Sequence, residues 1–402
     1  MLDFPKIFIT PKGERHAKTG HPWVFEGEVV RVDGQPEDGA LVHVFSPKER
    51  WLGTGYYNSR SKIRVRLISS NANDRFDDEF YRRRVRYALD YRRTVMGPDF
   101  PACRLIHGEA DRFPGLTVDL FSDTLVVECL CLGTERVKDT ILSALVEFLP
   151  DYGITVSTVY ERNEGELRLK EGMEKQKGFW GGLNGHADGH TEITENGIRY
   201  DVDFADGQKT GFFLDQKYNR LAAAKIARGR RVLDCFTHTG AFALNCAKAG
   251  AEHVTAVDIS ASAIEQTRHN AALNGIEPET VTADVFALLT AMVNEKRRDY
   301  DYIILDPPAF TKSTATVKDA YRGYKDINYR AMRCLPRGGY LATASCSHFM
   351  TRPLFEKMLD EAAQDAGVDL VQIESRAAAP DHPFLRAVPE TDYLKFYLLQ
   401  VV

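Results

Sequence analysis

Long apolar runs are missing from this 402-residue chain: none approaches the roughly 18 residues that a bilayer-spanning helix needs. The first ten residues carry a proline and mixed charge and lack the apolar core of a signal peptide. Together these absences predict a cytoplasmic protein without membrane contact. Cysteine is scarce, with seven residues at positions 103, 129, 131, 235, 246, 334 and 346, an odd number without metal-ligand clustering. That argues against a disulfide framework or a metal site and fits a reducing compartment. Charge of one sign is lacking too: the net charge of −5 gives no global reason to bind a polyanion. There is no internal repeat, no low-complexity tract and no G-x-G-x-x-G turn of the dinucleotide-binding folds.

What is present is ordinary in bulk, 44% hydrophobic and 27% charged, in a length sufficient for two or three domains. The charge distribution says more than its total. Residues 60–93 contain eleven Arg or Lys against five Asp or Glu, so this stretch is +6 inside an acidic chain. It is either an electrostatic footprint for a phosphate backbone or a solvated helix face.

Along the chain the hydrophobic period changes twice. Residues 1–72 are turn-rich, and Ile63-Arg64-Val65-Arg66-Leu67 alternates apolar with basic, which suggests a small β-barrel. Residues 73–190 read as a mixed α/β domain. It opens with a helix over 76–96, on which Tyr81, Val85, Ala88 and Leu89 recur at helical spacing. Further on come strands at Leu116–Phe121, 125–132 and 155–161, and a helix over 135–148. The five glycines of 178–189 predict a loop or linker. Residues 191–402 alternate strands and helices, the pattern of a Rossmann-like, doubly wound, mostly parallel sheet.

In such a sheet ligands bind beyond the carboxyl ends of the strands. Four apolar runs end, in order, at Asp234, Asp258, Asp284 and Asp306. The first leads into the turn Phe236-Thr237-His238-Thr239-Gly240, where Gly240 permits close backbone approach. Asp258 lies 18 residues past Gly240, placed to accept ribose hydroxyls, with Ser260 beside it. Asp284, next to Val285, could accept from an adenine amine. A single-glycine turn with an acid at the strand exit cradles a pyrophosphate poorly. It suits a nucleoside whose other end is an amino acid, as in S-adenosylmethionine. Each aspartate alone reads more readily as a helix cap or surface loop residue than as a ligand contact; the ordered set of four does not.

Several motifs give these residues a common origin. They include His21-Pro22-Trp23-Val24-Phe25, Gly108-Glu109-Ala110-Asp111, Lys170-Glu171-Gly172-Met173 and the run GQKTGFFLDQ at 207–216. CFTHTGAFA at 235–243, DPPAF at 306–310, RGYKDIN at 322–328, SCS at 345–347 and DYLK at 392–395 complete the set. Nearly end to end, the chain resembles the bacterial 23S ribosomal RNA cytosine-C5 methyltransferases with an N-terminal PUA domain. The resemblance implies a PUA RNA-binding barrel, a middle domain and a class I methyltransferase domain using S-adenosylmethionine. It implies large-subunit ribosomal RNA as partner and is compatible with a homodimer. It also marks Phe213, Gln216 and Arg220 as cofactor or base contacts. His238 and Lys217 depart from it, standing where tyrosine and arginine are usual.

Cytosine C5 is a weak nucleophile, so methylation there needs prior attack at C6, which turns C5 into an enamine carbon. A thiolate suits that attack, and Cys346, between two serines at a strand exit, is the candidate. Asp306 would hold or supply the proton at the ring nitrogen. The plain alternative for Cys346 is a buried small hydrophobe, which is the expectation for the other six cysteines. Arginines 60, 64, 66, 82, 83, 86 and 93 would position backbone phosphates, and a base inside a helix would have to be flipped out. Two rival functions remain. Asp-Pro-Pro also suits methylation of guanine N2 or adenine N6, although Ala309 intervenes before Phe310 where such enzymes usually stack the base. A non-catalytic RNA-binding assembly factor is the other. The single-glycine turn disfavours a dinucleotide-dependent oxidoreductase.

Overall fold

The structure, a computed structural model, describes residues 3–311 and 313–402, and the chain divides into two units. One comprises Met1–Ile193, Val202–Leu214 and Pro380–Pro389; the other comprises Thr194–Asp201, Asp215–Ala379 and Glu390–Val402. Among the described residues no helix is long and apolar enough to cross a membrane.

In the first unit, the alternating segment Ile63–Ser69 lies in a six-stranded sheet between Trp23–Phe25 and Trp51–Tyr57. Val65 and Leu67 join Ile7, Val24, Val42 and Val44 in the core, as the two-residue period requires. The helix Asp78–Met96 follows, capped by Asp77, whose side chain accepts from the Phe80 N–H. Its buried face includes Tyr81, Val85, Ala88 and Leu89. A second sheet of five strands comes next, and here one expectation is corrected. The glycine-rich stretch expected to be a loop is largely a strand, Gln176–Asn184, at the sheet edge against Thr158–Asn163. Gly181 and Gly182 take φ of +63° and +73°, and the register with the neighbouring strand shifts between Thr158 and Tyr160.

The arginines of the basic stretch divide into two groups. Arg82, Arg83 and Arg86 pair at the surface with Glu147, Asp74 and Asp151, weak bonds that a phosphate could replace. Arg66 is a correction to the expected phosphate contacts. Its guanidinium lies between Glu109 at 3.2 Å and Glu171 at 3.1 Å, and is 13% exposed. Trp23 donates to the same Glu109 oxygen at 2.9 Å and Asn58 to Glu171 at 3.0 Å. Arg66→Ala would leave two carboxylates without their cation. It is expected to lower the unfolding free energy by about 3 kcal/mol in a denaturant titration.

The second unit is built on seven strands: β1 Arg231–Cys235, β2 His253–Asp258, β3 Glu279–Thr282, β4 Tyr302–Leu305, β5 Tyr340–Ser345, β6 Leu370–Arg376 and β7 Lys395–Val401. Their spatial order is β3-β2-β1-β4-β5-β7-β6. The first five are parallel, and β7 runs antiparallel between β5 and β6. Its helices are α1 Lys217–Ala224, α2 Ala241–Lys248, α3 Ala261–Leu273, α4 Val285–Asn294, α5 Val317–Cys334 and α6 Arg352–Ala366. Successive strand residues point to opposite faces, and both faces are covered. Leu233, Ile303 and Leu341 pack against α4, α5 and α6. Val232, Tyr302 and Ala342 pack with Ala223 of α1 and with Phe242, Ala243 and Cys246 of α2. Such double coverage explains the near-continuous apolar strands and the doubly wound architecture. Strand order reverses between β1 and β4, which opens a crevice at their carboxyl ends.

Candidate active site

The turn after β1 has an alternating backbone. Phe236, His238 and Gly240 take φ of 65°, 53° and 84°, whereas Thr237 and Thr239 between them do not take positive φ. For phenylalanine and histidine this conformation is unfavourable and is held by the surrounding bonds. The His238 N–H donates to Asp258 Oδ2 at 3.0 Å, its carbonyl accepts from Thr267 Oγ1 at 3.0 Å, and Asn270 donates to the Thr239 carbonyl at 3.0 Å. A Cβ on Gly240 would lie 2.7 Å from Thr267 Cγ2, so contact with α3 as well as backbone sign requires glycine there.

Asp234 is fully buried under this turn. Its Oδ2 accepts from Thr237 Oγ1 at 2.6 Å and from the Ala243 N–H at 2.9 Å. Its Oδ1 has no hydrogen-bond partner among the described residues. Burial, reinforced by the charges of Asp306 and Asp258, pushes this carboxyl up to about 7 against the pull of its two bonds. A buried carboxylate oxygen without a donor fits a ligand that brings a cation, and S-adenosylmethionine has an ammonium and a sulfonium.

The other strand-end acids are less alike than their order implies. Asp258 is half-buried and takes N–H bonds from His238 and, at 2.9 Å, from Ser260; Ser260 in turn caps α3 by accepting from Ala263 at 3.2 Å. Asp284 is exposed and caps α4, accepting from the Ala287 N–H at 2.8 Å. The Val285 side chain lies in the core, which leaves its main chain as the part able to meet a ligand. Asp306, directly after β4, accepts from Gln216 Nε2 at 2.9 Å. Gln216 accepts from Asn219 at 2.7 Å, and Asn219 accepts from Arg376 at 3.0 Å. The Asp306 carboxylate is thus oriented by a relay of side chains. Arg220 is buried and ion-paired with Glu195 at 2.7 Å. Phe213 belongs to the first unit, where the Lys209 ammonium stands 4.7 Å from its ring centroid.

Cys346 leaves the end of β5. All seven cysteines lie among the described residues, and six are buried; Cys346 is the one that is half-exposed. Burial raises the Cys129, Cys235 and Cys246 thiols well above their ordinary range, which makes them inert. The flanking serines are both buried, and Ser347 Oγ donates to the Thr311 carbonyl at 3.0 Å. That bond ties the Cys346 loop to the loop that begins at Asp306. Phe310 packs against Tyr324 at 4.5 Å between centroids, and against Phe286 at 5.8 Å, and so belongs to an aromatic cluster.

One neighbour of Cys346 received no role from the sequence. Lys395 on β7 is 1% exposed, and its Nζ donates to the Ser347 carbonyl at 2.5 Å and to the Tyr393 carbonyl at 2.7 Å. Its signal was available: a lysine between Leu394 and Phe396 interrupts an apolar strand.

Residues 7–70 of the chain match a PUA-like domain, and residues 104–396 match the S-adenosylmethionine-dependent methyltransferase family. A ribosomal RNA large subunit methyltransferase I from Alteromonas mediterranea is 38% identical over 98% of both chains. Another, from Shewanella amazonensis, is 39% identical over 98% of this chain and 99% of that one. Among solved structures, the crystal structure of SMU.776 complexed with SAH superposes with a TM-score of 0.83. It is 22% identical and covers 98% of this chain and 100% of the other, a likeness of fold.

Proposed function

Because the chain belongs to the S-adenosylmethionine-dependent methyltransferases, we propose that it forms 5-methylcytosine in 23S ribosomal RNA through a Cys346 adduct. The observation that carries this reading is the half-exposed thiol of Cys346, tied through Ser347 and Thr311 to the loop of Asp306. The PUA-like match and the names of the relatives, ribosomal RNA large subunit methyltransferases, support large-subunit RNA as substrate.

Asp234, Asp258 and the turn at 236–240 would hold S-adenosylmethionine, with Ser260, Asp284 and the Val285 main chain toward its nucleoside and Gln216 fixing Asp306. Arg220 would act through its pair with Glu195. Bound there, the cofactor supplies an electrophilic methyl group. Cys346, as thiolate, attacks C6 of a flipped-out cytosine and forms a carbon–sulfur bond, while Asp306 attends the ring nitrogen that gains electron density. Once C5 carries the methyl group, loss of the C5 proton to a base expels the thiolate and restores the ring. Functionally the chain divides into an RNA-binding barrel (1–72), a middle domain (73–190) and the methyltransferase domain (191–402).

The direct test is the product. Large-subunit ribosomal RNA incubated with the protein and methyl-labelled donor, then digested to nucleosides, is expected to carry label in 5-methylcytidine. Label in N2-methylguanosine or N6-methyladenosine would transfer the reading to amino methylation. Absence of label with intact RNA binding would leave an assembly factor.

A further inference from the structure

Lys395 is a cation in a place that normally rejects one. It sits in β7, paired across the antiparallel ladder with Ser345, the residue before Cys346. Directly opposed residues put their side chains on the same face of a sheet, so the lysine stem rises beside the Cys346 loop. Two of its three N–H donors go to the Ser347 and Tyr393 carbonyls, and no carboxylate lies in ion-pair contact with it among the described residues.

A buried ammonium needs a counter-charge. The ionisable groups around Lys395 and the Cys346 loop come from four elements. Tyr324 projects from α5, Arg352 from the start of α6, Asp392 and Glu390 from the segment before β7, and Cys346 and His348 from the loop after β5. Arg352 is bonded to Ser375 and Tyr397, and Tyr324 is buried beneath the loop. After burial, the thiol of Cys346 is the largest influence on Lys395, ahead of Asp392 and Arg352.

We infer that Lys395 is a positioning residue that holds Cys346 as a thiolate and fixes the direction of its loop. The inference rests on Cys346 being the nucleophile. It requires no further reactant: one proton leaves sulfur, for water when the lysine is an ammonium and for the amine when it is neutral, and no other bond changes. Burial brings the Lys395 pKa down to about 8, near enough to a thiol for the pair to share a proton.

The test uses the full chain without RNA. Iodoacetamide labelling of the Cys346 peptide, followed by mass spectrometry across pH, reads the thiol pKa directly. In the wild type it is expected below the ordinary thiol value of about 8.5. Lys395→Met is expected to raise it by about one unit or more, slowing labelling at pH 7 roughly tenfold, while Lys395→Arg keeps it low. A lysine that merely clasps the loop would shift the melting temperature of Lys395→Met and leave the labelling profile unmoved, which overturns the inference. Should Lys395→Met not fold, a wild-type thiol at or above about 8.5 overturns it equally. The two ideas fail separately. Full activity in a Cys346→Ala variant removes the nucleophile, whereas an unshifted thiol in Lys395→Met with an inactive Cys346→Ala removes the lysine's role alone.

Discussion

Cys346→Ala is expected to lower kcat for methyl transfer by on the order of 10⁴-fold or more, with the Kd for S-adenosylmethionine unchanged. The size of the effect follows from covalent catalysis. Without attack at C6, the C5 carbon has no enamine character, and no neighbouring group can replace the missing sulfur. The unchanged affinity follows from place. Apart from Gln216 and Arg220, which precede β1, the candidate cofactor contacts of the second unit gather at the ends of β1, β2, β3 and β4, whereas Cys346 leaves β5. RNA containing 5-fluorocytidine gives a complementary readout, because a C5 fluorine cannot leave as a proton and the adduct persists. A mass increment of RNA on wild-type protein, absent in Cys346→Ala, is the expected pattern. Comparable turnover in wild type and variant would remove the C5 mechanism.

Asp234→Asn is expected to weaken S-adenosylmethionine binding by roughly 10- to 100-fold, the range for losing a hydrogen bond to a charged group. The substitution keeps an oxygen for Thr237 and Ala243 and removes the charge that the unpartnered Oδ1 offers to a cation. The pH dependence carries the sign. With its carboxyl at about 7 in the unliganded protein, Asp234 is neutral below that value and a carboxylate above it. Wild-type affinity should therefore fall as pH drops through about 7, and the Asn variant should lose that step. Folding stability moves the other way. The folded pKa is raised above the usual carboxyl range, so stability falls as pH rises towards 7, where the buried group ionises. At pH 8, unliganded Asp234→Asn should melt no lower than the wild type. Titration calorimetry between pH 6 and pH 8 checks the first pair of expectations, and thermal denaturation checks the last.

Much of the second unit could be read from local pattern. The runs ending at Asp234, Asp258 and Asp306 are strands β1, β2 and β4. Strands buried on both faces announce themselves by continuous apolar residues, and the carboxyl-end rule then places the acids. The stretch at 178–189 failed for an equally physical reason. Glycine tolerates almost any backbone angle, so it leaves no local preference to read, and pairing with Thr158–Asn163 decided the matter. Asp284 shows a different limit. The same sequence pattern that marks a ligand contact also marks a helix cap, and it caps α4.

The sequence by itself determined the alternation of strand and helix, the ordered acids and the serine-flanked cysteine, because these follow from neighbours a few residues apart. Tertiary structure alone decided where the charges find partners. Arg66 meets Glu109 and Glu171 across gaps of 43 and 105 residues, and Lys395 reaches the carbonyl of Ser347 across 48. Periodicity carries no information over such separations, since an ion's partner is set by strand pairing and packing rather than by its place in the chain.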